Sequence, residues 1–310
     1  MRWKLIILFN PCAGGGRSAT RLKKLLKLLD EKSIPWELFN CLEEETWQQL
    51  GQQKFFRNTL LVIAGGDGSI HQTVNWFYQS DLPPDEWPAM TVFPIGSGND
   101  WAGTHKIPSN PKKWIKKVLS GRITSGKLGK VEIAAEGNEG LTEVLKVNSL
   151  GIALTGQIAE SLNDSRAGNN KQAQYLLLAL KHYFKYTYPQ FNCGTNRTII
   201  RSRPLSINIG LNETTGGGMR LFPQDEEVGK LKCTIIEKPS GTAIPKLIWK
   251  LYLGDISTAK KEVNCFCFEQ MSIEGEQNEF PVEIDGEYYR SVKLKVEVEN
   301  SLRWKIVNPA

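Results

Sequence analysis

The feature that most constrains this chain is a glycine-rich turn between an apolar strand and an amphipathic helix. Residues 60–64 form a short apolar run, and residues 69–78 have helical spacing. The turn between them consists of Gly65, Gly66, Asp67, Gly68 and Ser69. Glycine lets the backbone approach a ligand closely, and the amides at the start of a helix attract an anion. The turn therefore predicts a phosphate site, and Asp67 among those amides indicates a phosphate that arrives with Mg²⁺ or an ordered water.

Two further glycine turns follow predicted strands. One follows residues 3–9 and runs from Asn10 to Gly16, and the other follows residues 91–95. The latter turn consists of Gly96, Ser97, Gly98, Asn99 and Asp100. If the strands are parallel neighbours, all three turns emerge at their carboxyl ends, where open α/β sheets bind ligands. A single glycine turn is more often a tight connection than a ligand site, so the prediction depends on the three together.

The two parts of the chain have different patterns. Up to about residue 126 the predicted strands and helices alternate, which is typical of a parallel sheet covered by helices. The following part is mostly strand-like, which indicates an antiparallel sandwich. We therefore expect a Rossmann-like α/β nucleotide-binding domain over residues 1–126 and an antiparallel β-sandwich domain over residues 127–298. An alternative that stays open is that residues 299–310 return to the first domain.

The second part is expected to contain long strands and two helices. The predicted strands are residues 131–134, 142–149, 197–211, 230–237, 263–274, 281–284 and 291–298. The predicted helices are residues 172–186 and 242–253.

Composition limits the compartment and the class of protein. Of the 310 residues, 40% are hydrophobic and 23% are charged, as in a globular protein. The six cysteines form no C-x-x-C pair, which argues for a reducing compartment and against a zinc scaffold. The basic start of the chain leads into too few apolar residues for a secretory signal, and no run reaches the roughly 20 apolar residues of a membrane span. We expect a cytoplasmic protein whose membrane contact is peripheral.

The net charge of +6 is modest and dispersed. Lysines cluster at positions 23, 24 and 27 and again at 112, 113, 116 and 117. For the first cluster a solvated helix face is the favoured interpretation, and for the second a membrane-facing role stays open. The charge lacks the interleaved aromatic residues of a nucleic-acid surface. His71, His105 and His182 stand in no context that favours a hydrolase triad.

With these motifs in order, the chain resembles the diacylglycerol kinase catalytic family, specifically the stand-alone bacterial lipid kinases that share their core with the NAD kinases. The resemblance covers nearly the whole chain. It depends on the three glycine turns, on Gly217-Gly218-Met219 with Pro223, and on Asp285-Gly286-Glu287. It implies an ATP-dependent lipid kinase, with nucleotide held between the α/β domain and a β-sandwich domain for the lipid substrate.

The resemblance also implies roles for single residues. The glycine turns would cradle the ATP phosphates, with Asn10 and Asn99 as polar contacts to the nucleotide. Asp67 would order Mg²⁺ through water. Asp285 takes the position of the general base for the lipid hydroxyl, with Glu287 beside it. Without the upstream motifs, a hairpin turn is the preferred interpretation of Asp285-Gly286-Glu287, because Asp-Gly is a strong turn signal.

The implied partners follow from the same resemblance. They are a lipid alcohol such as diacylglycerol and an anionic membrane surface, which would place the protein at the inner membrane face. A homodimer is left open. No nucleic acid is expected.

The chain departs from the family at acidic positions that bind a structural Mg²⁺ or lie near the site. Other residues stand at these positions: Lys127, Thr155, Val228 and Lys232. Lys127 and Lys232 could supply a direct cationic contact in place of a metal, because an ammonium has the same charge sign.

Two other functions stay open besides the leading hypothesis. One is a catalytically weak nucleotide-binding regulator that keeps the fold, against which stands the joint presence of Asp67, Asp100, Asp285 and Glu287. The other is a kinase of a different alcohol, either a sphingoid or other lipid or a soluble substrate as in NAD kinases. The Asn10 turn and the Gly96 turn favour the lipid branch.

Overall fold

The computed structural model describes residues 3–16, 18–137, 140–164, 177–179, 181–223, 227, 229–253, 255–276 and 279–309. The chain divides into two compact units. The first unit is Met1–Lys127 with Asn300–Ala310, and the second is Leu128–Glu299.

The first unit is built on one six-stranded sheet. Its strands, numbered along the chain, are β1 (Lys4–Phe9), β2 (Trp36–Asn40), β3 (Thr59–Gly65), β4 (Ala89–Pro94), β5 (Arg122–Ser125) and β18 (Lys305–Asn308). The sheet order is β2-β1-β3-β4-β18-β5, and every pair is parallel except β18 with β5. Because β1, β3 and β4 are adjacent and parallel, the turns that follow them lie on one edge of the sheet.

Five helices accompany this sheet. They are α1 (Ser18–Glu31), α2 (Glu44–Gln52), α3 (Asp67–Gln79), α4 (Asp100–Thr104) and α5 (Pro111–Val118). On α1 the leucines at positions 22, 25 and 29 are buried while the lysines of the first cluster are exposed, as an amphipathic helix requires. The start of α5 is set by Pro111 in the first turn and by Asn110, whose side chain accepts the Lys113 N–H.

The second unit contains two six-stranded sheets whose strand pairs are all antiparallel. Its strands are β6 (Leu128–Ala134), β7 (Leu141–Lys146), β8 (Ser149–Ala153), β9 (Phe191–Thr195), β10 (Ile199–Ser202), β11 (Ser206–Gly210), β12 (Leu231–Ile236), β13 (Val263–Phe268), β14 (Gln270–Gly275), β15 (Phe280–Ile284), β16 (Glu287–Ser291) and β17 (Lys293–Glu299). The sheet orders are β10-β9-β14-β17-β6-β7 and β13-β12-β11-β8-β15-β16.

One apolar core joins the two sheets of the second unit. Ile273 and Leu294 of the first sheet share it with Ile152, Ile207 and Val282 of the second, and all five are buried. Alternate residues of a strand point to opposite faces, so each sheet contributes one apolar face to this core. An α/β unit and an antiparallel sandwich are the predicted fold class, which is confirmed.

Among the described residues of the second unit, two α-helices are α6 (Leu154–Asp164) and α7 (Ile244–Leu253). The helix α6 packs on β8, β15 and β16, and α7 packs through Leu247 on a smaller apolar cluster with Leu221, Ile236 and Val263. Within the described ranges no helix combines the length and apolarity needed to cross a bilayer.

Several predicted element boundaries in the second unit were wrong. The predicted strand 197–211 is two strands in different sheets, because Arg203-Pro204 interrupts it and proline cannot donate to a strand ladder. The predicted strand 263–274 is two strands that belong to different sheets and are separated at Glu269. The alternation of apolar and polar residues in the sequence does not indicate this change. Of the predicted helix 172–186, residues 172–176 and 180 lie outside the described residues. The predicted strand 142–149 covers residues 142–146 of β7 and only the first residue of β8, and the strands β9 and β16 and the helix α6 were missed.

The strand β18 returns to the first unit and brings a large buried side chain with it. Trp304, just before this strand, is 1% exposed, and its indole N–H donates to the Met90 sulfur at 3.2 Å. Its ring lies 5.6 Å from that of Trp101, centroid to centroid. A Cβ on Gly126 would stand 2.5 Å from the Trp304 ring, so the backbone of residue 126 approaches it closely.

We expect Trp304→Ala to lower the free energy of unfolding of the first unit by about 3–5 kcal/mol, because it leaves a cavity in a packed core. Urea unfolding followed by circular dichroism measures the change. The matched control is Arg303→Ala, an exposed neighbour whose replacement should stay within about 0.5 kcal/mol of the wild type. Equal effects of the two variants would contradict this packing.

Candidate functional site

The three glycine turns of the first unit lie in direct backbone contact. A Cβ placed on Gly96 would stand 2.5 Å from the Gly66 Cα, and one on Gly14 would stand 2.2 Å from the Ile95 carbonyl oxygen. Gly14 also has a φ of +64°, in the left-handed region that favours glycine. Only glycine at these positions lets the turns pack against one another. The structure thus brings together the candidate residues of all three turns.

The Asp67 carboxylate joins the second turn to the third. One oxygen accepts the backbone N–H of Asp100 at 3.1 Å, and the other accepts that of Trp101 at 3.0 Å. These two amides open α4, so the carboxylate of one turn caps the helix that follows another. Asp100 itself is 7% exposed. Sequence reasoning placed Asp67 near a metal and missed this partner, which lies 33 residues away along the chain.

The two candidate asparagines shape the turns. The Asn10 amide nitrogen donates to the Ser69 hydroxyl at 2.9 Å, and its oxygen accepts the Cys12 N–H at 3.0 Å. Asn99 has a φ of +59° and bonds back to Gly96, accepting its N–H at 3.0 Å and donating to its carbonyl at 2.7 Å. A direct contact from either amide to a nucleotide stays a prediction.

The tip of the third turn is open to solvent. Ser97 and Gly98 are exposed, while Ser69 and Asp100 are buried and Gly68 is intermediate. The junction therefore has a fixed base and an accessible rim of small residues. Main-chain amides at such a rim, next to the positive end of α3, can bind an oxyanion.

The donor set limits how a metal could bind here. Among the described residues no group of three His, Cys, Asp or Glu side chains could hold a metal ion. The two Asp67 oxygens accept amide bonds, and a carboxylate oxygen can accept more than one hydrogen bond. These residues fit a Mg²⁺ ion held mainly by phosphate oxygens and water, which is how proteins commonly bind this ion.

In the second unit, Asp285 and Gly286 form the two-residue turn of the β15–β16 hairpin. Ile284 pairs with Glu287 across it, and the φ angles of Asp285 and Gly286 are +53° and +93°. Such a turn requires positive φ at both positions, which Asp and Gly tolerate best. The hairpin interpretation is therefore correct. Glu287 is exposed.

The Asp285 carboxylate is buried and tied to three backbone amides. It is 5% exposed, and it accepts N–H bonds from Val147 at 2.7 Å and from Asn148 and Ser149 at 2.8 Å each. Its own N–H donates to the Ser149 carbonyl at 2.9 Å. Three amide donors offset the cost of taking a negative charge out of water. The carboxylate is thus held rigidly at the start of β8.

Two further ionisable groups lie near this carboxylate, and sequence reasoning missed both. Lys146 is 0% exposed, and its ammonium donates to the Asn148 carbonyl at 3.3 Å. Burial lowers the pKa of Lys146 to about 8, although the nearby Asp285 and Glu283 act to raise it. Desolvation raises the pKa of Glu283 to about 8, although its carboxylate accepts the Gly286 N–H. The sequence feature that could have identified Lys146 is its place as the single lysine in the apolar run 144–147.

The resemblance motif Gly217-Gly218-Met219 lies beside the same group. Met219 and Thr215 form a β-bridge that closes a loop of three glycines, all with positive φ. The Thr215 hydroxyl is 2.7 Å from that of Ser149, whose amide binds Asp285. The structure therefore brings the loop and the Asp285 hairpin together.

The positions that depart from the family have their own contacts. Lys127 is exposed, and the Thr155 hydroxyl donates to Asn208 at 3.4 Å. Lys232 is 6% exposed and its ammonium donates to the Pro223 carbonyl at 2.7 Å. Its charge is thus neutralised in part by a main-chain dipole. Val228 lies outside the described residues.

Both halves of the chain match family models. Residues 4–131 match the diacylglycerol kinase catalytic domain, and residues 149–302 match the YegS C-terminal NAD kinase beta sandwich-like domain.

Curated relatives are distant in sequence. A "Diacylglycerol kinase" of Staphylococcus carnosus is 22% identical over 93% of this chain and 90% of its own length. A "Probable lipid kinase YegS-like" protein of Enterobacter is 24% identical over 53% of this chain, and that match spans about half of the relative, 51%.

Solved structures share the fold. A diacylglycerol kinase from Bacillus anthracis str. Sterne has a TM-score of 0.69 at 18% identity, with 98% of this chain and 96% of that chain covered. A yeast NADH kinase complexed with NADH has a TM-score of 0.53 at 11% identity, with 100% and 84% covered.

The contact between the turns can be tested with two glycines of the same region. We expect Gly96→Ala to destabilise the first unit by about 1–3 kcal/mol, because its Cβ forces the Gly66 backbone away. Gly103→Ala, in α4 with no heavy atom within 4 Å of the added Cβ, should be neutral or stabilising by up to about 1 kcal/mol. Urea unfolding distinguishes them, and a stable Gly96→Ala variant would contradict the close approach.

The buried charges of the second unit predict a stability minimum near pH 8. From pH 5 to 8 native Glu283 keeps a proton that the unfolded chain releases near its ordinary 4.5, so stability falls as pH rises. Above pH 8 native Lys146 has lost a proton that the unfolded chain keeps until about 10.5, so stability rises again.

The variant Glu283→Gln isolates the acidic side of that minimum, because its side chain does not titrate. We expect it to remove at least about 1 kcal/mol of the wild-type loss between pH 5 and pH 8. The free energy of unfolding in urea, measured at both values for the two proteins, gives the difference. Parallel pH profiles would show that the Glu283 carboxyl titrates normally.

Proposed function

We propose, from the match of residues 4–131 to the diacylglycerol kinase catalytic domain and of residues 149–302 to the YegS C-terminal NAD kinase beta sandwich-like domain, that the chain is an ATP-dependent lipid kinase of the diacylglycerol kinase family. The acceptor would be the hydroxyl of a membrane lipid such as diacylglycerol. The relatives named as a diacylglycerol kinase and as a probable lipid kinase support this class of substrate. The proposed place of action is the cytoplasmic face of the inner membrane.

The observation that carries the proposal is the junction of the three glycine turns. Phosphoryl transfer needs a rigid set of donors around the phosphates rather than covalent chemistry by the protein. Gly66 and Gly96 pack backbone to backbone, and Asp67 fixes the start of α4 against them. The amides of this junction are the proposed phosphate ligands, and their rigidity keeps the cost of ordering them low when ATP binds.

In the second unit, Asp285 is the proposed general base. It would accept the proton of the lipid hydroxyl as the oxygen bonds to the γ-phosphorus of ATP, whose bond to the bridging oxygen breaks so that ADP leaves. The three amide bonds hold its carboxylate in one orientation, which is what a proton acceptor with a fixed target needs. Lys146 and Glu283 would act through Asp285, because the protonation state of each alters the electrostatic field at its carboxylate.

Mg²⁺ is the proposed metal. When bound, it would neutralise charge on the phosphates. Asp67 is the residue we assign to it, through a water that the carboxylate accepts beside its two amide bonds.

A second candidate function, a catalytically weak nucleotide-binding regulator, has one specific observation in its favour. The replaced acidic positions include Thr155 and Lys232, and the Lys232 ammonium is already bonded to a carbonyl of its own unit. A metal site that the family uses would then be missing while the nucleotide turns stay intact.

Transfer of labelled phosphate from ATP with Mg²⁺ to a panel of lipid alcohols in mixed micelles tests the proposal. We expect label in one class of lipid, and a turnover number lowered at least about 100-fold in Asp285→Asn, since a positioned base contributes about this factor. The affinity for ATP, measured by calorimetry, should be largely retained, because the proposed phosphate ligands are the amides of the glycine turns.

Circular dichroism and urea unfolding of Asp285→Asn serve as the control, since the residue also holds three amides. ATP binding without transfer to any lipid would favour the regulator. Full activity of a folded Asp285→Asn protein would remove Asp285 from the chemistry while leaving the kinase assignment standing.

A further inference from the structure

The helix α7 presents an apolar face to solvent. It buries Leu247 and Lys250 on its inner side. At 100° per residue the opposite side collects Ile248, Trp249, Tyr252 and Leu253, which are exposed by 49%, 57%, 52% and 71%. Four large apolar side chains on one arc of a surface helix are unusual, because such helices normally direct polar residues outward. We call these four residues the α7 face.

The charges around the α7 face are mainly positive. The charged residues of the helix are Lys246, which is exposed, and Lys250, whose ammonium donates to Thr258. Arg220 adjoins the last turn, where its backbone N–H donates to the Leu251 carbonyl at 2.7 Å, and exposed lysines follow at positions 260 and 261. The nearby Asp255 carboxylate accepts the Ser257 N–H and hydroxyl.

The same helix is linked to the Asp285 group within the second unit. Arg220, bonded to the end of α7, follows Met219 of the glycine loop. That loop is closed by Thr215, whose hydroxyl lies 2.7 Å from that of Ser149. The Ser149 amide in turn donates to the Asp285 carboxylate. A continuous series of contacts therefore connects α7 with the Asp285 carboxylate inside the second unit.

We propose that the α7 face docks on an anionic lipid bilayer, which deepens the proposed function and rests on it. Trp and Tyr have an apolar ring and a polar group, so they favour the bilayer interface, while Ile248 and Leu253 would insert among the acyl chains. Lys246 and Arg220 would contact lipid phosphates. A lipid kinase docked in this way would draw its acceptor from the bilayer beside the Asp285 hairpin.

A second copy of the chain fits this face less well. In a two-fold interface each residue meets the same surface of its partner, so the cations around two α7 faces would be brought together. Like charges in a desolvated interface oppose association. A phospholipid surface supplies the opposite charge.

Co-sedimentation of the full chain with vesicles tests the docking without ATP or turnover. The vesicles are phosphatidylglycerol mixed with phosphatidylcholine in equal parts, or phosphatidylcholine alone. We expect Trp249→Ser/Leu253→Ser to lower the partition coefficient on the anionic vesicles at least about tenfold, since two large apolar side chains no longer insert. Lys246→Gln should lower it about fivefold, and phosphatidylcholine alone should bind the wild type more weakly.

The matched control is Leu42→Ser/Phe56→Ser, which removes two exposed apolar side chains from the first unit and should bind as the wild type does. A partition coefficient of Trp249→Ser/Leu253→Ser within twofold of the wild type would overturn the proposal. So would a wild-type dimer that this variant converts to a monomer without any change in vesicle binding.

Docking and catalysis can fail separately. Phosphorylation of a short-chain lipid dissolved as monomers should be retained by Trp249→Ser/Leu253→Ser, while phosphorylation of the same headgroup in vesicles should fall with the partition coefficient. Vesicle binding through the α7 face with no phosphorylation of any lipid would leave the docking intact and reject the kinase function. If Trp249→Ser/Leu253→Ser does not change phosphorylation in vesicles, the docking is rejected and the kinase function stands.

Discussion

The Asp67 carboxylate is the contact on which the candidate nucleotide site depends. It binds the first two amides of α4, so the turn after β3 and the turn after β4 cannot move independently. A carboxylate beside a helix start is stabilised by the same amides and dipole that would attract a phosphate. Asp67 therefore occupies part of the positive potential of this junction and leaves the remaining amides at fixed positions.

In the second unit a carboxylate is again held by backbone amides, but it stands in a hairpin turn. Asp285 stands in the tight turn of a hairpin with a left-handed backbone, and its negative charge is compensated by three amides at the start of β8. Lys146 and Glu283 lie in the same buried region, where weak screening makes the pKa of each sensitive to the charges of the neighbouring groups. A group of this kind costs stability, which suits a site kept for chemistry rather than for folding.

The sequence predicted those parts of the site that are encoded locally. The glycine turns follow apolar strands within a few residues, and Asp-Gly marks a hairpin by its φ preferences alone. The partner of Asp67 could not be predicted, because a bond to the Asp100 amide depends on how two loops pack. The sheet change at Glu269 was hidden for a similar reason, since β13 and β14 continue one alternation although they belong to opposite layers. Lys146 was hidden by its position in an ordinary strand.

The positions at which the resemblance led us to expect acidic residues are unevenly distributed. Thr155, Val228 and Lys232 all belong to the second unit, and Lys127 is the last residue of the first segment, whereas the three glycine turns keep their pattern. A phosphate held by main-chain amides depends little on side-chain identity, so these replacements leave the proposed ATP half intact. The Lys232 ammonium donates to the Pro223 carbonyl. Pro223 is close in sequence to the glycine loop that adjoins the Asp285 group. The physical consequence of the replacements should therefore be found in how the second unit handles its acceptor.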